Sequence, residues 1–162
     1  MAITTENSTQ YGNTVADPRV MNPTQEAHGR LRVARFNFTQ GASAGDAGSI
    51  ARLVRLPKGK VRVILPLSRV AFSALGASRT LDMGWEAYRT DEGSGEVAAD
   101  PNGMDDGVDV SSAGAVVPGG TVGGDETVLF ESLDGVVLTA QINDGTIPAA
   151  ATLDGYLVYV MD

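Results

Sequence analysis

After Gly29 most of the chain alternates apolar and polar residues with a period of two, the mark of half-buried β-strands. Leu31 and Val33 alternate with Arg30 and Arg32, and then Phe36 and Phe38 alternate with Arg35 and Asn37. The phase slips by one residue between the two sets. A slip of one flips every later side chain, so the pattern predicts a β-bulge near Ala34. Gly41–Gly48 reads as a loop and Ile50–Leu56 as a second strand, closed by a turn at Pro57-Lys58-Gly59. Val61, Val63, Leu65 and Leu67 mark a third strand, which Pro66 restricts to an edge or an irregular end. Val70–Leu75 continues it or forms a short further strand. Leu81, Met83, Trp85 and Ala87 alternate with Asp82, Gly84, Glu86 and Tyr88 in a clear fourth. Near the C-terminus Thr127–Ser132, Val136–Ile142 and Leu153–Val160 read as strands, with turn signals at Asp134-Gly135 and Asn143-Asp144-Gly145.

Residues 90–126 are the least regular, being rich in glycine and proline, with a weak helical pattern at Met104–Val110. About eight strands without a convincing helix predict an all-β fold, an antiparallel β-sandwich over 29–162. Its core should hold Leu31, Val33, Val63, Leu65, Leu81, Met83, Trp85, Leu138, Leu157 and Tyr159. Residues 1–28 are polar and aperiodic, and they cannot bury enough apolar surface to fold alone. They read as an N-terminal arm, either loose or ordered on a partner, with Tyr11, Val20 and Met21 as its apolar anchors.

Composition narrows the function. At 162 residues the chain fits one domain that can bury a real core. It has no cysteine, so disulfides and thiolate metal sites are excluded. Met1–Gln10 lacks the basic and apolar regions of a secretory signal, and no apolar run approaches the roughly 18 residues of a membrane span. Charge is divided: all 12 Lys and Arg lie in residues 1–89 with 6 acids, and the other 14 acids lie in 90–162. The division marks two faces for different partners, unless interleaved strands average it out.

Candidate chemistry is sparse. Gly41-Ala42-Ser43-Ala44-Gly45 matches the nucleophile elbow, but that motif needs a following helix and a later histidine. The one histidine, His28, precedes it, and a strand follows it. Gly93–Ala98 loosely fits a dinucleotide fingerprint, yet it places Glu96 where a pyrophosphate would lie and leads to Pro101. The acidic stretch 91–109 offers Asp91, Glu92, Glu96, Asp100, Asn102, Asp105, Asp106 and Asp109, oxygen donors of the kind calcium takes. Its order departs from the EF-hand, and it reads as a solvated acidic loop with calcium as the alternative. With no paired catalytic constellation, the chain reads as non-enzymatic. Arginines and lysines are dense from Arg30 to Arg69, but an isoelectric point near 4.5 opposes nucleic acid as a partner.

Three stretches, Thr80–Tyr88, Asp105–Ser111 and Thr146–Val160, resemble the decoration (cement) proteins that coat tailed-bacteriophage capsids. The resemblance is one of general character over residues 29–162. It implies a jelly-roll-like sandwich on the capsid exterior, made in the host cytoplasm, commonly a homotrimer, with the major capsid protein as partner. It implies neither catalytic residues nor a cofactor. A terminal arm reaching a neighbouring subunit suits residues 1–28, so the capsid-binding candidates are Tyr11, Val20, Met21, Arg30, Arg32 and Arg35. A tail or fibre component binding a host surface, or a carbohydrate-binding sandwich, remain as alternatives.

Overall fold

The computed structural model describes residues 16–18, 20–21, 30–46, 48–90, 95–120 and 127–161. Tyr11 and most of the arm lie outside them. Among the described residues there are eleven strands and no helix: β1 (Arg32–Thr39), β2 (Ile50–Arg55), β3 (Gly59–Phe72), β4 (Thr80–Trp85), β5 (Tyr88–Arg89), β6 (Glu96–Val97), β7 (Asp100–Asp109), β8 (Gly114–Val116), β9 (Thr127–Ser132), β10 (Val137–Asn143) and β11 (Thr152–Met161). Two antiparallel sheets face each other. One has the order β1-β11-β3, with β9 and β8 pairing the two halves of β3, and the other has the order β2-β10-β4-β7.

Taken from the outside in, the long strands pair as β1 with β11, β2 with β10, β3 with β9 and β4 with β7. The chain is thus one long hairpin rolled so that successive pairs alternate between the two sheets. That winding is the eight-stranded jelly roll. It is an all-β sandwich, as the alternation implied.

Val63, Leu65, Leu81, Met83, Leu138 and Leu157 are buried between the sheets as expected, while Trp85 and Tyr159 pack against the core half-exposed. Phe130 of β9 takes edge-to-face contacts from Trp85, centroids 5.2 Å apart, and from Tyr88 at 5.8 Å, which ties the two sheets together at one end.

The expected bulge near Ala34 is absent. β1 pairs β11 without a shift from Arg32 opposite Tyr159 to Thr39 opposite Thr152. Ala34, Phe36 and Phe38 face the core, which sends Val33 to the outer face, 56% exposed, and Leu31 is 60% exposed. The phase slip in the sequence records apolar residues on both faces of one regular strand.

The bulge lies in β3 instead. Opposite the single residue Leu157, between the pairs Tyr156–Arg69 and Val158–Ile64, β3 inserts the four residues from Leu65 to Ser68. The buried phase runs Val61, Val63, Leu65 into the insertion and Ser68, Val70, Phe72 out of it. Pro66, which has no N–H to offer a ladder, is tolerated there. The Ser68 hydroxyl closes the gap by donating to the Ile64 carbonyl at 2.8 Å and accepting from the Val158 N–H at 3.0 Å.

Asp100–Asp109, expected as acidic loop or helical turn, is strand β7, paired to β4 with two register shifts. It fits because two glycines admit it. A Cβ at Gly84 would lie 1.9 Å from the Asp100 carbonyl oxygen, and one at Gly103 would lie 2.3 Å from the Trp85 ring. Asp82, on the polar phase of β4, is buried and accepts from the Gly107 N–H at 2.8 Å and from Asn143 Nδ2 at 2.6 Å.

Candidate docking surface

Motifs with catalytic overtones resolve into structure. Gly45 pairs with Ile147 through two backbone bonds of 2.9 and 3.0 Å, Ser43 is exposed on that loop, and β2 follows it. Glu96–Val97 pairs with Tyr88–Arg89 in a short hairpin, where a dinucleotide site needs a helix. Among the described residues no three His, Asp or Glu side chains gather to hold a metal ion. None of the helices that cross membranes by length and apolarity occurs among them either.

The surface with built features is the outer face of the β1-β11-β3 sheet. Side chains alternate along each strand, so one face carries Val33, Arg35 and Asn37 of β1 with Asp154 and Tyr156 of β11, and Val158 lies in the same phase but is buried. Register aligns them in rows: Asn37–Asp154–Ala71, then Arg35–Tyr156–Arg69, then Val33–Val158–Ile64. Asn37 Nδ2 donates to the Asp154 carboxylate. A shallow recess of about 520 Å³ opens over Arg35, Asn37, Arg69, Asp154 and Tyr156, with Phe36 and Gly155 beneath. A second of about 370 Å³, bordered by Val33, Arg35 and Tyr156, continues it toward the apolar row.

Two arginines bordering the larger recess, Arg35 and Arg69, carry the uncommitted charge of this face. The surface pairs Arg52–Glu86 (2.6 Å) and Arg89–Asp134 lie elsewhere, and Lys60–Glu131 (2.8 Å) sits on the outer face of the same sheet but on the β3-β9 ladder, away from the recesses. Arg35 and Arg69 make no hydrogen bond or ion pair among the described residues. Tyr156 differs from the other described aromatics. Phe36, Phe72 and Phe130 are core residues, and Phe38, Trp85, Tyr88 and Tyr159 pack against the core.

Of the residues singled out in sequence, Arg32 and Arg35 lie on opposite sides of β1. Arg35 joins the outer row, whereas Arg32 shares the side of Ala34 and Phe36 but is exposed at the strand's start. Arg30, Val20 and Met21 are exposed, and Tyr11 lies outside the described residues. Arg69, Tyr156, Asn37 and Asp154 were not anticipated as surface partners. Each occupies an outward phase in its own strand, but only the β1-β11-β3 register brings them together.

Fold and face define a class: a small single jelly roll, an architecture that recurs in viral capsids, lectins and cupins. Within it the chain is similar to a chain in the capsid of Ralstonia phage GP4, with 22% identity, a TM-score of 0.60, and 88% of this chain and 91% of that one covered. It is also similar to a chain in the capsid asymmetric unit of cyanophage Pam1, with 15% identity, a TM-score of 0.56, and 99% and 100% covered. At these identities the likeness is one of fold. No protein-family model matches the chain, and no curated protein matches it in sequence.

Proposed function

We propose that this chain is a structural virion protein that decorates the outside of a bacteriophage capsid and stabilises it by bridging major capsid protein subunits. The observation that carries the reading is end-to-end likeness to two chains from phage capsids, each matched over nearly its whole length and so of this chain's own size. A single jelly roll of this size has room for a core and two faces, and the rows of arginine, tyrosine and valine on one face suit contact with another protein. In this role the chain acts by buried area, with stable interfaces needing about 1,200–2,000 Å² in total, rather than by catalysis. The copies form a homotrimer, since a closed ring satisfies every copy of a contact. The protein is made in the host cytoplasm and ends on the capsid exterior.

Residues 1–28 supply the clamp in this scheme. Ordering them costs about 1–2 kcal/mol per residue in backbone entropy, so only a large new interface with the capsid offsets it. Deleting residues 1–24 tests this. The truncated protein should keep its melting transition, because the strands begin at Arg32. Its binding to undecorated capsids, followed by co-sedimentation, should fall by a large factor. Full-strength binding would remove the arm from the mechanism, and absence of binding by the intact chain would remove the capsid role. Light scattering that reports a monomer at every concentration would refute the trimer.

A further inference from the structure

We infer that the groove along Val33, Arg35, Tyr156 and Arg69 is a docking site for an extended segment of a partner protein carrying a carboxylate and an apolar side chain two positions apart. The inference deepens the capsid reading by naming the chemistry of the partner.

Arg35 and Arg69 flank Tyr156 in one cross-strand row, so their Cα atoms are two strand spacings apart, about 9–10 Å. Both side chains are exposed and uncommitted. Both border the larger recess with Tyr156 between them, so one anion in the recess meets both guanidinium groups, and guanidinium recognises carboxylate through paired, charge-assisted hydrogen bonds. Phosphate alone would account for the two arginines but not for the continuation of the groove. One pair further along the ladder, on the same face, stands exposed Val33 beside Val158 and Ile64, and the second recess opens there. Residues two apart in an extended chain lie about 6.6–6.8 Å apart on the same side, which matches the spacing of Arg35 and Val33. An acid at one position and an apolar residue two positions on therefore fill both recesses at once.

Asp154 sets the direction. It borders the larger recess on the side away from Val33, and Asn37 holds its carboxylate. An incoming carboxylate is repelled from that end and drawn toward the arginine row, which leaves the segment to run toward Val33.

The test uses the whole chain, isotope-labelled for amide NMR, and two capped synthetic heptapeptides of threonine. In one, a glutamate and a leucine stand two positions apart, and in the other glutamine replaces the glutamate. The glutamate peptide should shift the amides of Val33, Arg35, Arg69 and Tyr156 saturably at millimolar concentration. The glutamine peptide should bind about ten- to a hundredfold more weakly, the worth of a charge-assisted hydrogen bond. Arg35→Glu and Arg69→Glu should abolish the response, and Lys58→Glu, in the turn between β2 and β3, should leave it unchanged. No saturable shift, equal response to both peptides, or shifts centred elsewhere would overturn the assignment. Capsid co-sedimentation of the same variants keeps the two readings apart. Peptide binding by a chain that ignores capsids preserves the groove and removes the capsid role. Capsid binding untouched by either arginine reversal preserves the role and removes the groove.

Discussion

Replacing Ser68 with alanine deletes one oxygen atom and strands two backbone groups at the point where β3 bulges away from β11. Ser68 is 2% exposed, so water has no ready access to take over. The Val158 N–H, 3.0 Å from the hydroxyl, loses its acceptor, and the Ile64 carbonyl loses a donor at 2.8 Å. An unsatisfied buried donor costs about 1–3 kcal/mol, and the carbonyl keeps a second lone pair, so the change should cost about 2–3 kcal/mol in all. For a chain of this size each kcal/mol lowers Tm by about 2–4 °C, which gives a fall of about 4–12 °C. Ser73→Ala provides the internal comparison. Its hydroxyl likewise accepts a β11 amide, from Thr152 at 3.0 Å, but at a half-exposed position where water can substitute, so it should cost under about 1 kcal/mol. Thermal melts by circular dichroism measure both variants, and amide hydrogen exchange reads Val158 directly. A Ser68→Ala protein that melts within 2 °C of the parent, about the smallest shift worth a kcal/mol, with Val158 still protected, would refute the bulge-closing role.

Gly103→Ala should cost about 1–3 kcal/mol, because its methyl enters the Trp85 ring; a urea midpoint and an altered tryptophan emission spectrum would show it. Phe130→Ala removes the ring that Trp85 and Tyr88 both meet edge-on, and should cost about 3–5 kcal/mol by the same urea titration. Asp134 and Asp109 are held below the ordinary value of 3.8, Asp134 chiefly by the hydrogen bond from Arg89 and Asp109 by the backbone N–H of Ser111. A depressed carboxylate stabilises the fold above its unfolded-chain value and loses that contribution as the pH falls through its folded value. The Tm should therefore be level from about pH 7 to 5 and decline below about 4, less steeply in Arg89→Ala.

The strands that alternate cleanly were legible in the sequence. Leu81 to Trp85 and Leu153 to Val160 fall inside β4 and β11, the Asp134-Gly135 signal falls between β9 and β10, and of Asn143-Asp144-Gly145 the first residue ends β10 while the other two leave it. Two failures share one physical cause, that a strand's faces are assigned by its neighbours. Leu31 and Val33 look like core by alternation, yet Phe36 and Phe38, being larger, set the inward phase of β1. Asp100–Asp109 looks like solvated loop because it is acidic, yet Gly84 and Gly103 let β7 lie against β4 with Met104, Asp105 and Val108 buried. The docking face was half visible. Arg35 could be picked out as an outward charge, whereas Arg69 and Tyr156 become its neighbours only through pairing between strands that are distant along the chain.

The rolled-hairpin winding also determines when the molecule can exist during its own synthesis. Of the described strands β1 leaves the ribosome first, and its ladder belongs to β11, which ends at Met161. At about 5–20 residues per second, the growing chain carries β1 for roughly 6–24 s before its partner is complete. β2 waits for β10 and β3 for β9 in the same way, so the last-made strand seals the earliest. A nascent chain stalled before Thr152 holds a first strand without its mate, open to the matching strand of a sister chain on the same message.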